Sequence, residues 1–454
     1  MQRWRSVRTV GAAGLVGVVV TFVGWWRLGP VAARTVWAED GGVFWRDRAA
    51  DGPLDLLEPY AGYLHLLPRL LVDVAWVFPV AHYAVVLSLG SCLVVGGAAA
   101  LVSVLARDVV HPWPLRALLA AVPALLPLAP VEIAGNAANL HWYLLALAPW
   151  VFAYRPRRWW SAVGLAAVTA AVTLTEPQTA LFLPLLLLAW VPDGPVGERR
   201  VGLRPLPVTV VAVLGVAAQV AVSAVTPRRL DPGVASWRDV VAGWFLQPFG
   251  GLLHARVGEV VRAVLDHGWA VVLVPAAAVG VLLVAAVAVG SWRARVLVVA
   301  LTVGSVVVWA GALWVNGADR PWSGPAPGMV DAPPLRYGAA SGLLLLSAIA
   351  TAAGVLITWG GARRPVTTRP GGAVRLTGTA LGWCAVAVVV GSAVAGTAPV
   401  ALDHEPQPSR RADGPEWAPQ VARAAASCRA DPALASVRVE TAPWGTRIDC
   451  ARLR

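Results

Sequence analysis

The chain has no lysine, only four cysteines, and charged side chains at just 14% of its 454 positions. So little charge cannot clothe a water-solvated fold of this length, which excludes an ordinary soluble domain. No Gly-rich nucleotide loop, no Cys/His cluster of metal-ligand spacing and no nucleophile elbow occurs, so those familiar chemistries have no foothold. Without lysine, the basic residues are all arginine: 37 against 25 acids, a net charge of +12. In a soluble protein that imbalance would suggest nucleic acid. Here most arginines stand between apolar runs, where membrane orientation and contact with anionic membrane lipid account for them, and no nucleic-acid partner is expected. Arginine in place of lysine, with abundant Ala, Val, Gly and Pro, fits a gene of high GC content and a bacterial plasma membrane.

What the chain does have is apolar length. Hydrophobic residues make up 57% of it and the mean hydropathy is +0.65. Runs approaching the roughly 20 residues that cross a bilayer as a helix recur along almost the whole sequence. The expected fold is an all-α polytopic membrane protein of about eleven transmembrane helices, at 10–28, 82–106, 115–131, 140–154, 160–174, 179–191, 206–225, 269–289, 296–315, 337–358 and 376–395. Between 160 and 191, Glu176-Pro177 divides one apolar stretch into two halves, readable as two tilted spans or as a re-entrant hairpin. The first span has a basic start like a signal peptide, but its apolar core is long for one, so it reads as an anchor. Cys92 and Cys384, inside apolar runs, read as small packing residues.

Eleven crossings from a cytoplasmic N-terminus place the Arg-rich connections inside: Arg3/Arg5/Arg8, Arg107/Arg116, Arg155/Arg157/Arg158, Arg199/Arg200/Arg204, Arg293/Arg295 and Arg363/Arg364/Arg369/Arg375. Only Asp108, Asp193 and Glu198 are acidic among them, as the positive-inside rule expects. The resulting organisation is a cytoplasmic segment with the first span (1–28), an extracytoplasmic loop (29–81), a helical bundle (82–398) with outward loops at 226–268 and 316–336, and an extracytoplasmic C-terminal tail (399–454). Within the first loop, LLPRLLVDVAWVFP (66–79) reads as a helix lying on the membrane surface. The tail reads as a small α+β unit, one helix and then two strands, SVRVETA and GTRIDC, around Pro443-Trp444-Gly445. Outside the cell, Cys428 and Cys450 are free to oxidise and tie the helix to the hairpin.

The segment richest in chemistry is WAEDGGVFW (37–45), just beyond the first span. Adjacent carboxylates Glu39 and Asp40, flanked by Trp at the low-dielectric membrane boundary, are suited to accept a proton from a hydroxyl. Such a pair is equally able to hold a divalent metal, Mg or Mn, the only cofactor the sequence gives reason to consider. Elsewhere, polar residues gather at outward helix ends: Glu132, Asn136, Asn139 and His141 in VEIAGNAANLHW, and Glu176 with Gln178 in LTEPQT. Each reads either as a cap or inter-helix hydrogen bond, or as part of a substrate site. Tyr63 and His65 divide between an interfacial belt and sugar contact.

The first loop resembles that of the GT-C superfold, the polytopic glycosyltransferases that use lipid-linked sugars, mannosyl- and arabinosyltransferases among them. Members place an acidic pair in the first external loop, follow it with membrane-surface helices, and often end in an external domain. The matching pieces are Glu39-Asp40, EPYAGYLHLLPRLL (58–71), LRYGAAS (335–341) and the tail. The resemblance implies a sugar donor on a polyprenyl phosphate, a cell-envelope glycan, lipid or protein as acceptor, and inversion at the sugar carbon. It implies Asp40 as catalytic base with Glu39 as partner. The leaving phosphate needs cationic contacts, for which Arg336 and Tyr337 are best placed and Arg69 and Arg320 are alternatives. Two competing readings are a flippase or transporter for a lipid-linked glycan, and a non-catalytic membrane scaffold.

Overall fold

The computed structural model describes residues 2–191, 202–226, 228, 236–316, 321–330, 336–361, 372–403 and 409–454, with backbone only at 2–8, 361, 372–375, 392 and 395–403. Arg199, Arg200, Arg363, Arg364, Arg369, Asp193, Glu198, Arg320 and Leu335 lie outside the described residues.

Helix dominates, and among the described residues six helices are long and apolar enough to cross a bilayer: Thr9–Leu28, Val80–Asp108, Leu206–Val225, Ala270–Val289, Trp292–Asn316 and Arg336–Gly360. The chain is a multi-pass membrane protein. Four shorter apolar helices, Leu140–Ala153, Trp159–Thr173, Pro177–Trp190 and Leu376–Gly391, accompany them. Arg336–Gly360 is buried over nearly its whole length and forms the bundle's axis. The first two long helices cross closely because both present glycine: a Cβ on Gly17 would stand 2.9 Å from the Gly96 carbonyl oxygen, and one on Gly96 only 2.1 Å from Thr21 Oγ1.

One expected span is not a single helix. Residues 115–131 form Trp113–Ala120, Val122–Leu125 and a 3-10 turn at Ala129–Val131. Prolines are the cause: Leu126, just before Pro127, is forced into extended backbone, which ends the helix. The carbonyls released at Ala124, Leu126 and Pro127 accept hydrogen bonds from the buried guanidinium of Arg27, at the end of the first span. Arg27 thus satisfies the backbone of a broken helix.

The long first loop is compact. A π-turn at Asp40–Trp45 leads through short turns to the helix Leu66–Trp76. The tail, helix Trp417–Ala430 and strands β1 (Ser436–Glu440) and β2 (Gly445–Asp449), docks on it. The strands pair antiparallel from Ser436 opposite Asp449 to Glu440 opposite Gly445, and Cys428 is disulfide-bonded to Cys450. Trp45, Tyr83 and Trp417 share one core beneath the tail. Both indoles donate across it, Trp45 to the Arg447 carbonyl at 3.0 Å and Trp417 to that of Val80 at 2.7 Å. Tight docking explains Gly41-Gly42: Cβ atoms there would lie 2.4 Å from Thr441 Cγ2 and 2.9 Å from the Trp444 ring.

Candidate functional site

A cavity of about 510 Å³ opens where the first loop, the turn before Leu140–Ala153, the Glu176 turn and the start of Arg336–Gly361 converge. Polar side chains line it, Glu39, His141, Glu176 and Arg336 among them, and so do Leu181 and an apolar stripe of the helix Trp292–Asn316, Val307, Gly311 and Val315. Arg228 and Asn316 also line it, joined by a 2.8 Å hydrogen bond. The cavity therefore offers both hydrogen-bonding, charged groups and a greasy surface.

The adjacent acids separate. Successive residues on a helical turn point about 100° apart, so only one of the two faces the cavity. That one is Glu39, whose Oε1 lies 3.5 Å from Arg336 Nη1 and whose Oε2 is buried without a partner. Asp40 points inward and is 1% exposed. Its two oxygens accept the backbone N–H groups of Ala137 (3.0 Å) and Ala138 (2.8 Å), and its carbonyl accepts the Tyr83 hydroxyl at 2.8 Å. Burial pushes its carboxyl up to about 7, against the opposing pull of the two amides and Arg411. Asp40 clasps the first loop to the 129–139 turn and does not line the cavity, so the geometry withdraws it from the role of base in contact with substrate.

Several other sequence-predicted residues do meet at the cavity: Tyr63, His65, Asn139, His141, Glu176 and Gln178, together with Arg336 and Tyr337. Tyr60 and Tyr63 are set by a two-residue turn that exchanges backbone bonds of 3.0 and 3.2 Å. Both central residues have left-handed backbone, Gly62 at φ 87° and Ala61 at φ 52°. Gly62 tolerates this conformation; Ala61 is strained by it. His65 stacks on Tyr63 at 4.0 Å, with Nδ1 on the Tyr63 carbonyl, and burial holds its imidazole well below the usual range. His141 Nδ1 lies 2.5 Å from Glu176 Oε2, and Glu176 Oε1 accepts the N–H of Gln178 at 2.8 Å.

Three expected binding residues stand behind this surface instead. Arg69 is fully buried beneath Phe44, its two terminal nitrogens on Asp55 (3.1 Å) and Asp47 (3.0 Å), so it has no face toward a phosphate. Asn136 is spent inside its own turn, donating to the Glu132 carbonyl and accepting from Asn139. Glu132 sits 3.5 Å from both Arg336 and Arg410, the latter from the tail. It links the tail to the cavity's edge. Burial raises its carboxyl, with the two arginines opposing.

Arg228, Tyr60, Trp142 and Asn316 line the cavity without having been singled out by the sequence. Gln219 was also missed: from an apolar span it bonds both the N–H and the carbonyl of Leu64 and the carbonyl of Thr173, fixing the first loop in place. A lone amide in such a span was the available signal. Among the described residues, no three His, Cys, Asp or Glu side chains converge as a metal group. With Asp40 turned inward, the acidic pair does not present two carboxylates to one cation, so the residues present do not fit the expected metal.

No family model, curated protein or solved structure matches this chain. The chemistry of the site is therefore read from its own residues.

Proposed function

We propose that the protein is an integral membrane glycosyltransferase that crosses the bilayer about eleven times and moves a sugar from a polyprenyl-phosphate donor to an extracytoplasmic acceptor. The observation that carries this reading is a cavity lined both by polar groups, Glu39, His141, Glu176 and Arg336, and by an apolar helix stripe, Val307, Gly311 and Val315. Such a donor likewise joins a charged part to an apolar one. Its prenyl chain suits the apolar stripe, and its sugar suits the Tyr60, Tyr63 and Trp142 rings beside the carboxylates.

The leaving phosphate needs a cation whose charge is not already neutralised. Arg336 is flanked by Glu39 and Glu132, whereas Arg228 has only the neutral amide of Asn316 as partner among the described residues. Arg228 is thus the first phosphate contact and Arg336 the group that orients Glu39.

The test is sugar release and transfer by full-length protein in nanodiscs from radiolabelled polyprenyl-phosphate mannose and arabinose, comparing wild type with Glu39→Gln and Asp40→Asn. Turnover by wild type is expected. Glu39→Gln should lose it while melting like wild type, and Asp40→Asn should lose it only with its fold. Absence of turnover with either donor, or full turnover by folded Glu39→Gln, contradicts the proposal.

A further inference from the structure

Within the cavity, one side chain combines a free basic atom, a fixed tautomer and a counter-charge. A carboxylate only accepts hydrogen bonds, so Glu176 Oε2 at 2.5 Å places the proton of neutral His141 on Nδ1 and leaves a lone pair on Nε2. The Gln178 N–H holds the other Glu176 oxygen, so the carboxylate cannot swing away without losing a bond. The His141 side chain is 9% exposed and lines the cavity, and among the described residues nothing donates to Nε2. Its neighbours lack one or another of these features. Asp40 has both oxygens on amides, Glu39 has Oε1 beside Arg336 and no donor fixing its free Oε2, and His65 has no carboxylate to balance a charge.

We infer that His141 is the catalytic base that takes the acceptor hydroxyl's proton, with Glu176 as its positioning residue; the assignment rests on the transferase reading. In the step, the acceptor oxygen bonds to the anomeric carbon as the carbon–oxygen bond to phosphate breaks. The electron pair leaves with polyprenyl phosphate, and the hydroxyl proton passes to Nε2. Glu176 balances the resulting imidazolium, which later returns its proton to water. A cation in the first turn of Leu140–Ala153 is disfavoured by that helix's dipole, which is why the carboxylate is needed.

The assignment is tested in full-length protein in nanodiscs by two readouts. The first is turnover of radiolabelled polyprenyl-phosphate mannose and arabinose. His141→Gln should lower kcat by about 10²-fold or more with the donor KM little changed, and Glu176→Gln should lower kcat less, again at constant KM. Added imidazole should restore turnover to His141→Ala, which loss of a merely structural contact would not allow. The second is carbethoxylation by diethyl pyrocarbonate, mapped by mass spectrometry with the exposed His267 as internal reference. His141 should be labelled in wild type and more slowly in Glu176→Gln. Undiminished kcat in folded His141→Gln, or His141 unlabelled when His267 has fully reacted, overturns the assignment. The labelling reads the dyad independently of sugar transfer, so a wild type that is inactive on both donors but labelled at His141 refutes the transferase reading while upholding the accessible dyad.

Discussion

Two neighbouring regions around the first loop use the same kinds of residue to opposite ends. In the clasp, where the first loop, the 129–139 turn and the tail meet, each charged group has a protein partner, although Asp55 Oδ1 and Arg69 Nε make no hydrogen bond. Arg69 is held by Asp55 and Asp47, Asp40 by two amides, and Arg411 by the carbonyls of Thr35 and Ala134. The cavity leaves basic and cationic atoms over: among the described residues, Glu39 Oε2 has no partner, and Arg228 has only an amide. Glu39 and Asp40 are neighbours, yet one belongs to each region. Pairing, more than residue type, separates the groups that hold the fold from those available to a substrate.

The comparison breaks most visibly at Arg69. Arg69→Ala leaves Asp55 buried without its ion-pair partner, while Asp47 keeps Arg46, a loss of about 3–5 kcal/mol. A collapse of the thermal melting temperature in nanodiscs is expected; near-wild-type melting would place Arg69 outside the clasp.

Asp40→Asn comes next, at about 1–3 kcal/mol, because an amide NH₂ then faces a backbone N–H. Its pH dependence sharpens the point. The folded-state carboxyl, pushed up to about 7, lies above its ordinary 3.8. Its stabilising contribution is therefore fully present below about 4 and lost as pH rises through about 7, so the melting gap between wild type and Asp40→Asn narrows over that window. A gap that widens with pH would show the amide bonds outweighing burial.

On the cavity side the effects move from stability to substrate. Arg228→Gln should raise the donor KM about tenfold, as for one partly solvated phosphate contact, and leave melting unchanged. Smallest is Ala61→Gly. Relief of a left-handed alanine, about 1–2 kcal/mol, is partly offset by the glycine's extra chain entropy of about 0.5–1 kcal/mol. A rise in melting temperature is expected, and a fall would mean that Ala61 is not strained.

Much of this was legible in the sequence for a physical reason. Long apolar runs must become helices in lipid, so most expected spans coincide with helices, and the acidic and aromatic cluster of the first loop supplies lining of the cavity. The 115–131 run failed because hydropathy is blind to Pro123 and Pro127, which cut a helix without lowering its apolarity. Glu39 was found in the acidic pair, His141 and Glu176 as polar residues at helix ends and Arg336 as a cation at the start of a span, and all line the cavity. Asp40 and Arg69 were misjudged because partners distant in sequence, Ala137 and Ala138 for one and Asp55 and Asp47 for the other, decide which way a side chain points. Arg228 carried no signal, being one of two adjacent arginines in a loop.

The most direct measurement is photo-crosslinking of a diazirine-bearing polyprenyl phosphate to the protein in nanodiscs, with adducts mapped by mass spectrometry. Adducts on the peptides carrying Tyr60–Tyr63 and Val307–Asn316, displaced by unlabelled polyprenyl-phosphate sugar, are predicted. Adducts confined to outward faces of the bundle, such as Val281 and Val284, with none in the cavity, would contradict it.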